Sequence, residues 1–368
     1  METSTPIQLR KCIIIKINSP EYKAWLQNRN KKRLALRTRK KAAKKKSLAY
    51  LNDRNRELKG SPDYNPKTKR FDFHAPLVFS FIWNPEETNA FFSKIINFIT
   101  CRENFGKSLF IDVSKIDRLS SDALMYLLAI VNNLNENFRN KFSFSGNAPD
   151  KPEVKKLFAE SGFYQFVKYQ GTDPIIQNKD NIQIVSGENS DTSVAKRMSD
   201  FVSKKAGISR QACSFIYIMM IELMSNTHKH AYADRRSILF PRWYCFSEYD
   251  GKDTISFTFM DTGDGVPATV RKNFAERIDF LKIKGDSKYV TSALDGDFRT
   301  STELSFRGKG LPKIREFCAQ SKIQNMRIIT NYADVTVYES WYNANNLITP
   351  LRGTLFFWQI DISKLKGV

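Results

Sequence analysis

The chain has 368 residues, 41% of them hydrophobic, and a formal net charge of +21. That is enough for two domains of ordinary size plus an extension, and the absence of any run of about 18 apolar residues argues against a membrane-spanning helix. Five widely spaced cysteines without a CxxC, only three histidines, and an N-terminus unlike a signal peptide argue against a disulfide framework, a zinc site or a His-rich metal centre; they predict reduced thiols and a cytoplasmic setting.

The charge is unevenly spread. Residues 1–70 carry 21 Lys/Arg and 5 Asp/Glu, a net +16, and the rest of the chain only +5. KCIIIKI, Lys11 to Ile17, predicts a strand. SPEYKAWLQNRN predicts the start of a helix, with Ser19 as cap and Pro20 in the first turn. Between Arg29 and Lys46, 11 of 18 residues are Lys or Arg and none is acidic. The Ala and Leu among them permit a helix, while self-repulsion opposes one. An anionic partner would relieve that repulsion, so Lys31, Lys32, Arg33, Arg37, Arg39, Lys40, Lys41, Lys44, Lys45 and Lys46 are candidates for a salt-sensitive grip on the phosphates of a nucleic acid or nucleoprotein. A solvated basic tail is the competing reading, and an acidic protein or membrane surface a third. Gly60–Arg70 reads as a linker that closes a basic extension over residues 1–70.

The next block, residues 71–175, alternates strands and helices. FDFHAPLVFSFIW predicts strands, Phe91–Ile99 a helix and SLFIDVSKI a buried strand. SSDALMYLLAIVNNLNENF has helical spacing with Ser120 or Ser121 as cap. KFSFSGNAP reads as strand and turn, and KPEVKKLFAESGF as a short helix ending near Gly162. This alternation predicts a small α/β layer. FIDVSKIDRLSSDALMYLLAIV followed by FSFSGNAPDKPEVKKLFAESGFYQF resembles a STAS domain of the anti-sigma-antagonist type. The resemblance implies a protein partner and a serine at a helix N-terminus that can take phosphate. Here Leu119 and Asp122 replace that family's Asp and Gly, and Asp122 would repel a phosphate on Ser121, which favours a plain cap. Phe105-Gly106-Lys107-Ser108 looks like a fragment of a P-loop, but Cys101 stands where the first glycine belongs and a strand follows. Residues 170–195 are polar and turn-rich around one short strand and form the boundary region.

The last block, residues 176–368, holds three groups that converge. Gln211–His230 has apolar residues at helical spacing, and positions four apart on a helix drift by only about 40°. Glu222, Asn226 and His230 therefore share one stripe, with Lys229 beside it, and three polar groups in a row are costly to bury without a ligand. SFTFMDTGDGVP is a strand running into Asp261, Gly263 and Gly265; a carboxylate there can accept from an amino group, and two close glycines let a ligand approach the backbone. SFRGKGLPKIREF places Gly308, Lys309, Gly310 and Leu311 at a helix N-terminus, where backbone N–H groups can hold phosphate. Alone, each has a bland explanation as core helix, tight turn or helix start.

In that order, and with Arg352-Gly353-Thr354-Leu355-Phe356 trailing, the three resemble the GHKL (Bergerat-fold) ATPases, on the histidine-kinase and anti-sigma-kinase side of the family. The resemblance covers about Asp191 to Ser363 and implies an α/β architecture, a STAS-like layer followed by a GHKL two-layer sandwich. It implies ATP and Mg²⁺ as cofactors. Asn226 would ligate the Mg²⁺, and Glu222 would act as catalytic base or orienting group for water or a hydroxyl. Lys229 and His230 would lie near the phosphates, Asp261 would read the adenine, and Gly263 and Gly265 would floor the pocket. Gly308, Lys309, Gly310 and Leu311 would hinge a lid over residues 268–307, and Thr354 would add a hydrogen bond near the base. Many relatives dimerise, which leaves the oligomeric state open.

His74 lies in a strand-like stretch rather than on a dimerising helix, so a conventional sensor histidine kinase is not expected. Three functions remain open. One is a slowly hydrolysing ATP switch linked to the STAS-like block and the basic arm. Another is an anti-sigma-like Ser/Thr kinase or partner-binding regulator. The last is a nucleotide-dependent scaffold with negligible turnover.

Overall fold

The computed structural model describes residues 20–59, 63–167, 178–230, 239, 242–274, 278, 284–298 and 310–366. The expected strand over residues 11–17 lies outside them. Two compact units are present, Met1–Tyr64 and Asn65–Val368.

The first unit holds one α-helix, α1 (Pro20–Lys59), of 40 residues. The basic stretch is helical along its whole length, so the Ala, Leu, Lys and Arg propensities outweigh charge repulsion in setting the backbone. A short strand, β1 (Tyr64–Asn65), interrupts the expected linker.

In the second unit the segment after residue 69 forms the expected α/β layer. Strands β2 (Arg70–His74), β4 (Ser108–Asp112) and β6 (Ser143–Gly146) pair in parallel, with Phe71 opposite Leu109 and Ile111 opposite Gly146. A small parallel pair, β3 (Val78–Phe79) and β5 (Arg118–Leu119), stands beside them. Helix α2 (Pro85–Thr100) starts with a proline and two glutamates, as a helix N-terminus favours, and buries Phe91, Phe92, Ile95, Ile96 and Ile99. Helix α3 (Ser121–Glu136) differs in kind: every residue from Asp122 to Val131 is buried. A helix apolar on all sides needs a neighbour on all sides. The expected short helix, α4 (Pro152–Glu160), ends just before Gly162, which turns the chain at φ +80.

The second neighbour of α3 is the other sheet. It is antiparallel, in the order β10 (Gln324–Val337), β11 (Tyr342–Asp361), β9 (Thr254–Asp261), β8 (Trp243–Tyr249), β7 (Asn181–Gly187). The boundary segment thus supplies an edge strand, because Asn181–Gly187 alternates at period two. It also supplies the first turns of α5 (Thr192–Ala206), whose cap Asp191 accepts from the Ser193 and Val194 N–H groups. One face of this sheet, with Trp243, Cys245, Ile255, Phe257, Phe259, Phe356, Trp358 and Ile360, packs on α5, α6 (Ser214–His230) and α9 (Gly310–Ala319) in a single core.

The opposite face meets the first block. Thr258 and Met260 alternate with Phe257 and Phe259 along β9 and are also buried. Ser121 Oγ lies 2.8 Å from Thr258 Oγ1, the Tyr126 hydroxyl donates to Arg352 O at 2.9 Å, and Asn132 Nδ2 donates to the Tyr244 hydroxyl at 3.3 Å. The Ile348 N–H donates to Glu86 at 3.0 Å, and Arg327 reaches Ile82 O while pairing with Asp334. Residues 71–175 and 176–368 thus share layers rather than meeting at a linker.

The cap of α3 departs from expectation. Ser120 occupies the N-cap position but makes no side-chain cap bond. The polar group that shapes this corner is Asp122, whose Oδ1 accepts from the Phe81 N–H at 2.7 Å and whose carboxyl also faces the Ser120 hydroxyl and the Ala123 N–H. Burial pushes the Asp122 carboxyl above its ordinary value of 3.8. A raised acid binds more protons folded than unfolded, so its contribution to stability falls as pH rises above 3.8. Asp122→Asn keeps an acceptor for Phe81 and removes this loss, so chemical denaturation at pH 7 should show equal or higher stability, with an advantage that shrinks on acidification. Asp122→Leu strands the Phe81 N–H and should cost about 1–3 kcal/mol.

Candidate functional site

Helix α6 is positioned by its apolar side. Phe215, Ile216, Met219, Met220, Leu223 and Met224 are buried in the core. This leaves Glu222 and Asn226, four residues apart and partly buried, on another stripe. The structure brings this stripe against the start of α9. A Cβ added at Gly310 would stand 2.9 Å from Glu222 Oε2 and 3.0 Å from Asn226 Nδ2. Neither side chain takes a hydrogen bond among the described residues, so both present unspent polar atoms beside a helix N-terminus. Lys229 and His230 sit on the last turn of α6, and their side chains lie outside the described residues, as do Gly308 and Lys309.

A second cluster forms where β9 ends. Thr354 on β11 pairs with Asp261. The Asp261 carboxylate accepts from the Gly263 N–H at 2.9 Å and from the Thr354 hydroxyl. Burial pushes the Asp261 carboxyl up to about 6, helped by the nearby Asp264 charge and opposed by those two donors and by the Thr354 N–H. An ionised carboxylate has room for about four donors, so roughly one place remains for a ligand's N–H group.

Thr330 and Asn331, outside the expected set, hold this turn in place together with Gly353 of the trailing Gly-Thr stretch. Gly353, at φ +103, passes so close to the end of β9 that a Cβ there would run into Asp261 O. Thr330 donates to Gly353 O at 2.9 Å and accepts from the Val266 N–H at 3.1 Å. Asn331 accepts from the Ala268 N–H at 3.2 Å and donates to Asp264 O at 3.0 Å. Thr330 and Asn331 therefore cap α7 (Val266–Asn273) from a neighbouring strand, at a register break in β10. Gly265, at φ +88, leaves the space they fill: its Cβ would come within 2.7 Å of both. The sequence signal for this pair is faint, an Asn inside a β-rich run.

The two glycine turns flank one apolar wedge. Val266, next to Gly265, and Leu311, next to Gly310, both pack against the main core and against a satellite cluster of Val270, Ile278, Tyr289, Ala293 and Phe298. The satellite belongs to the expected lid. Some of that lid is packed helix, α7 and α8 (Asp286–Asp295), with the buried Asp286 accepting from Arg271 and the Tyr332 N–H. Residues 275–277, 279–283 and 299–309 lie outside the described residues.

Comparison with known proteins adds little. No protein-family model and no curated protein matches the chain. Among solved structures it is similar to the histidine kinase domain from Erythrobacter litoralis EL346 blue-light activated histidine kinase. The TM-score is 0.23 at 12% identity, covering 76% of this chain and 96% of that one. A likeness that low carries no conclusion about the site, which stands on its own geometry.

Of the basic residues, Lys31, Lys32, Arg33, Arg37, Arg39, Lys40 and Lys41 are exposed on α1. Lys44, Lys45 and Lys46 lie on the same helix, with side chains outside the described residues. Cys101, Cys213, Cys245 and Cys318 are buried. No helix among the described residues is long and apolar enough to cross a membrane.

The glycines differ in what they protect, and two substitutions separate them. Gly353→Ala drives a methyl into backbone at positive φ and should destabilise the protein by more than about 3 kcal/mol in urea denaturation. Gly310→Ala meets only the ends of two flexible side chains, so stability should change by less than about 1 kcal/mol.

Proposed function

We propose that this protein is an ATP-binding regulatory switch whose nucleotide lies between the polar stripe of α6 and the Asp261 turn. The carrying observation is the convergence of Glu222 and Asn226 on Gly310, at the mouth of a helix N-terminus. A second donor-acceptor set, Asp261 with Thr354, supports it. The residue chemistry suits a Mg²⁺–nucleotide. Asp261 would accept from the adenine amino group, Thr354 would brace it, and Gly263 and Gly265 would admit the base. Asn226 would hold Mg²⁺, which would supply charge neutralisation at the phosphates. Gly308, Lys309, Gly310 and Leu311, with Lys229 and His230, would face the phosphates, and Glu222 would orient or deprotonate the attacking water.

The layering suggests what the switch controls. Strand β9 carries Asp261 at its end and, on the face turned to α3, Thr258 beside Ser121. A ligand that tightens the Asp261 turn would bear on the strand against which the first block packs. This is also why the kinase reading, with a STAS antagonist phosphorylated in the same chain, is less favoured. The Ser121 hydroxyl is engaged with Thr258, so a kinase would have to pull the packed layers apart to reach it. The basic arm would supply a nucleic-acid or nucleoprotein partner to the same switch.

Two substitutions test the assignment. Asp261→Asn should reduce ATP affinity at least about a hundredfold, while raising stability at pH 7, because it removes a carboxylate that burial disfavours in the charged form. Glu222→Ala should bind ATP within a few-fold of the parent and lose turnover by about 10²–10⁴. Normal hydrolysis by Glu222→Ala would end the catalytic assignment. In the parent, affinity for ATP should also weaken as pH falls through about 6, where Asp261 takes up a proton and loses an acceptor; a pH-independent affinity between 5 and 7 would remove Asp261 from the base site.

A further inference from the structure

The distribution of charge around α1 narrows its partner. At about 100° per residue, the Lys and Arg positions from Arg29 to Lys46 fall in every direction about the axis, with no gap wider than about 60°. Leu34 and Leu36, 67% and 57% exposed, point about 160° apart and form no stripe. A helix that lies on a bilayer needs an apolar face to sink into it, and one that lies along another protein shows a one-sided seam. Among its described side chains, the basic stretch has neither. Charge on all sides suits a partner that presents phosphates on both flanks at once.

A duplex groove does this. The B-form major groove is about 12 Å wide, enough for a helix of about 10–12 Å, and a phosphate strand lines each wall. The 18-residue basic stretch is about 27 Å long, less than one duplex turn of about 34 Å, so a straight helix can stay in the groove along it. The major groove of A-form RNA is too narrow and deep to admit it. No acidic residue interrupts the stretch, and the residues between the cations are Asn30, Leu34, Ala35, Leu36, Thr38, Ala42 and Ala43. With 11 cations in 18 residues, charge attraction to backbone phosphates dominates the contact, and that attraction carries no sequence information. We infer that α1 binds in the major groove of double-stranded DNA, without sequence preference, through Lys and Arg on opposite faces. This deepens the proposed arm-partner reading and does not depend on ATP.

The test uses the full-length protein and random-sequence 24-mer duplex DNA, the matching RNA duplex, the single strand, and vesicles containing phosphatidylserine. Two triple variants neutralise opposite faces, Arg33→Gln/Lys40→Gln/Lys44→Gln and Lys31→Gln/Lys45→Gln/Lys46→Gln. Glutamine keeps helix propensity, and circular dichroism checks that helicity is unchanged. Duplex DNA should be bound at least tenfold more tightly than the other three. Each triple should flatten the salt dependence, d log K/d log[salt], by about 2–3, since every phosphate left without its cation reduces the slope by roughly 0.9. If one triple leaves the slope unchanged, the helix lies on a surface rather than in a groove and the inference falls, although nucleic-acid binding survives. Equal or tighter binding to RNA, single strand or vesicles also overturns it. Failure of the parent protein to bind any nucleic acid removes the arm-partner reading as well.

Discussion

The structure depends on one sheet that is buried on both faces. The strands β8, β9 and β11 carry large apolar side chains toward α5, α6 and α9, and further buried residues toward α2 and α3. An antiparallel sheet with one wet face would alternate apolar and polar residues; here β8 reads Trp243, Tyr244, Cys245, Phe246, Ser247 with every residue buried. Burial on two sides removes the freedom of either layer to slide alone. Small polar contacts between the layers, such as Ser121 with Thr258 and Asn132 with Tyr244, set their register within an apolar contact that supplies most of the attraction.

That constraint explains where the polar residues of the site can stand. On α6 the core takes Leu223, Met224 and Thr227, so Glu222 and Asn226 have only the flank that faces α9. On β9 the core takes Phe257 and Phe259, and the next residue on that face is Asp261, where the strand stops. The carboxylate is thus the last position of an apolar row, which is why burial raises its pKa. Gly353 lets β11 close over it without a side chain in the way, and Thr354 then meets the carboxylate. Each polar group is held by a neighbour whose place the packing already determines.

Legibility in the sequence follows this division. The α6 stripe, the β9 strand with its Asp-x-Gly-x-Gly turn and the Gly310 helix start can be read locally, because periodicity and glycine spacing are local signals. The α/β class follows from alternation of elements. Less legible are features that depend on distant pairing. Thr330 and Asn331 cap a helix some 60 residues earlier in the chain, and only the fold brings them to it. The uniformly apolar α3 pattern reads as a buried helix, yet nothing local says that its second neighbour is a sheet formed from residues beyond 180. Ser120 sits where a capping residue should but makes no cap bond, and the buried Asp122 carboxylate faces both the Ser120 hydroxyl and the Ala123 N–H.

Strand β9 also gives the switch reading a physical route without a long chain of contacts. Successive residues of a strand face opposite sides, so Asp261 and Thr258, three residues apart, belong to different layers of the same rigid element. A ligand at Asp261 that draws the strand end toward α6 would act on the Thr258 face with nothing in between. The coupling would be limited by how tightly α3 holds that face. Because α3 is buried all round, the first block would move with the strand or separate from it, and a gradual deformation would cost packing on both sides. A two-state response therefore fits this architecture better than a graded one.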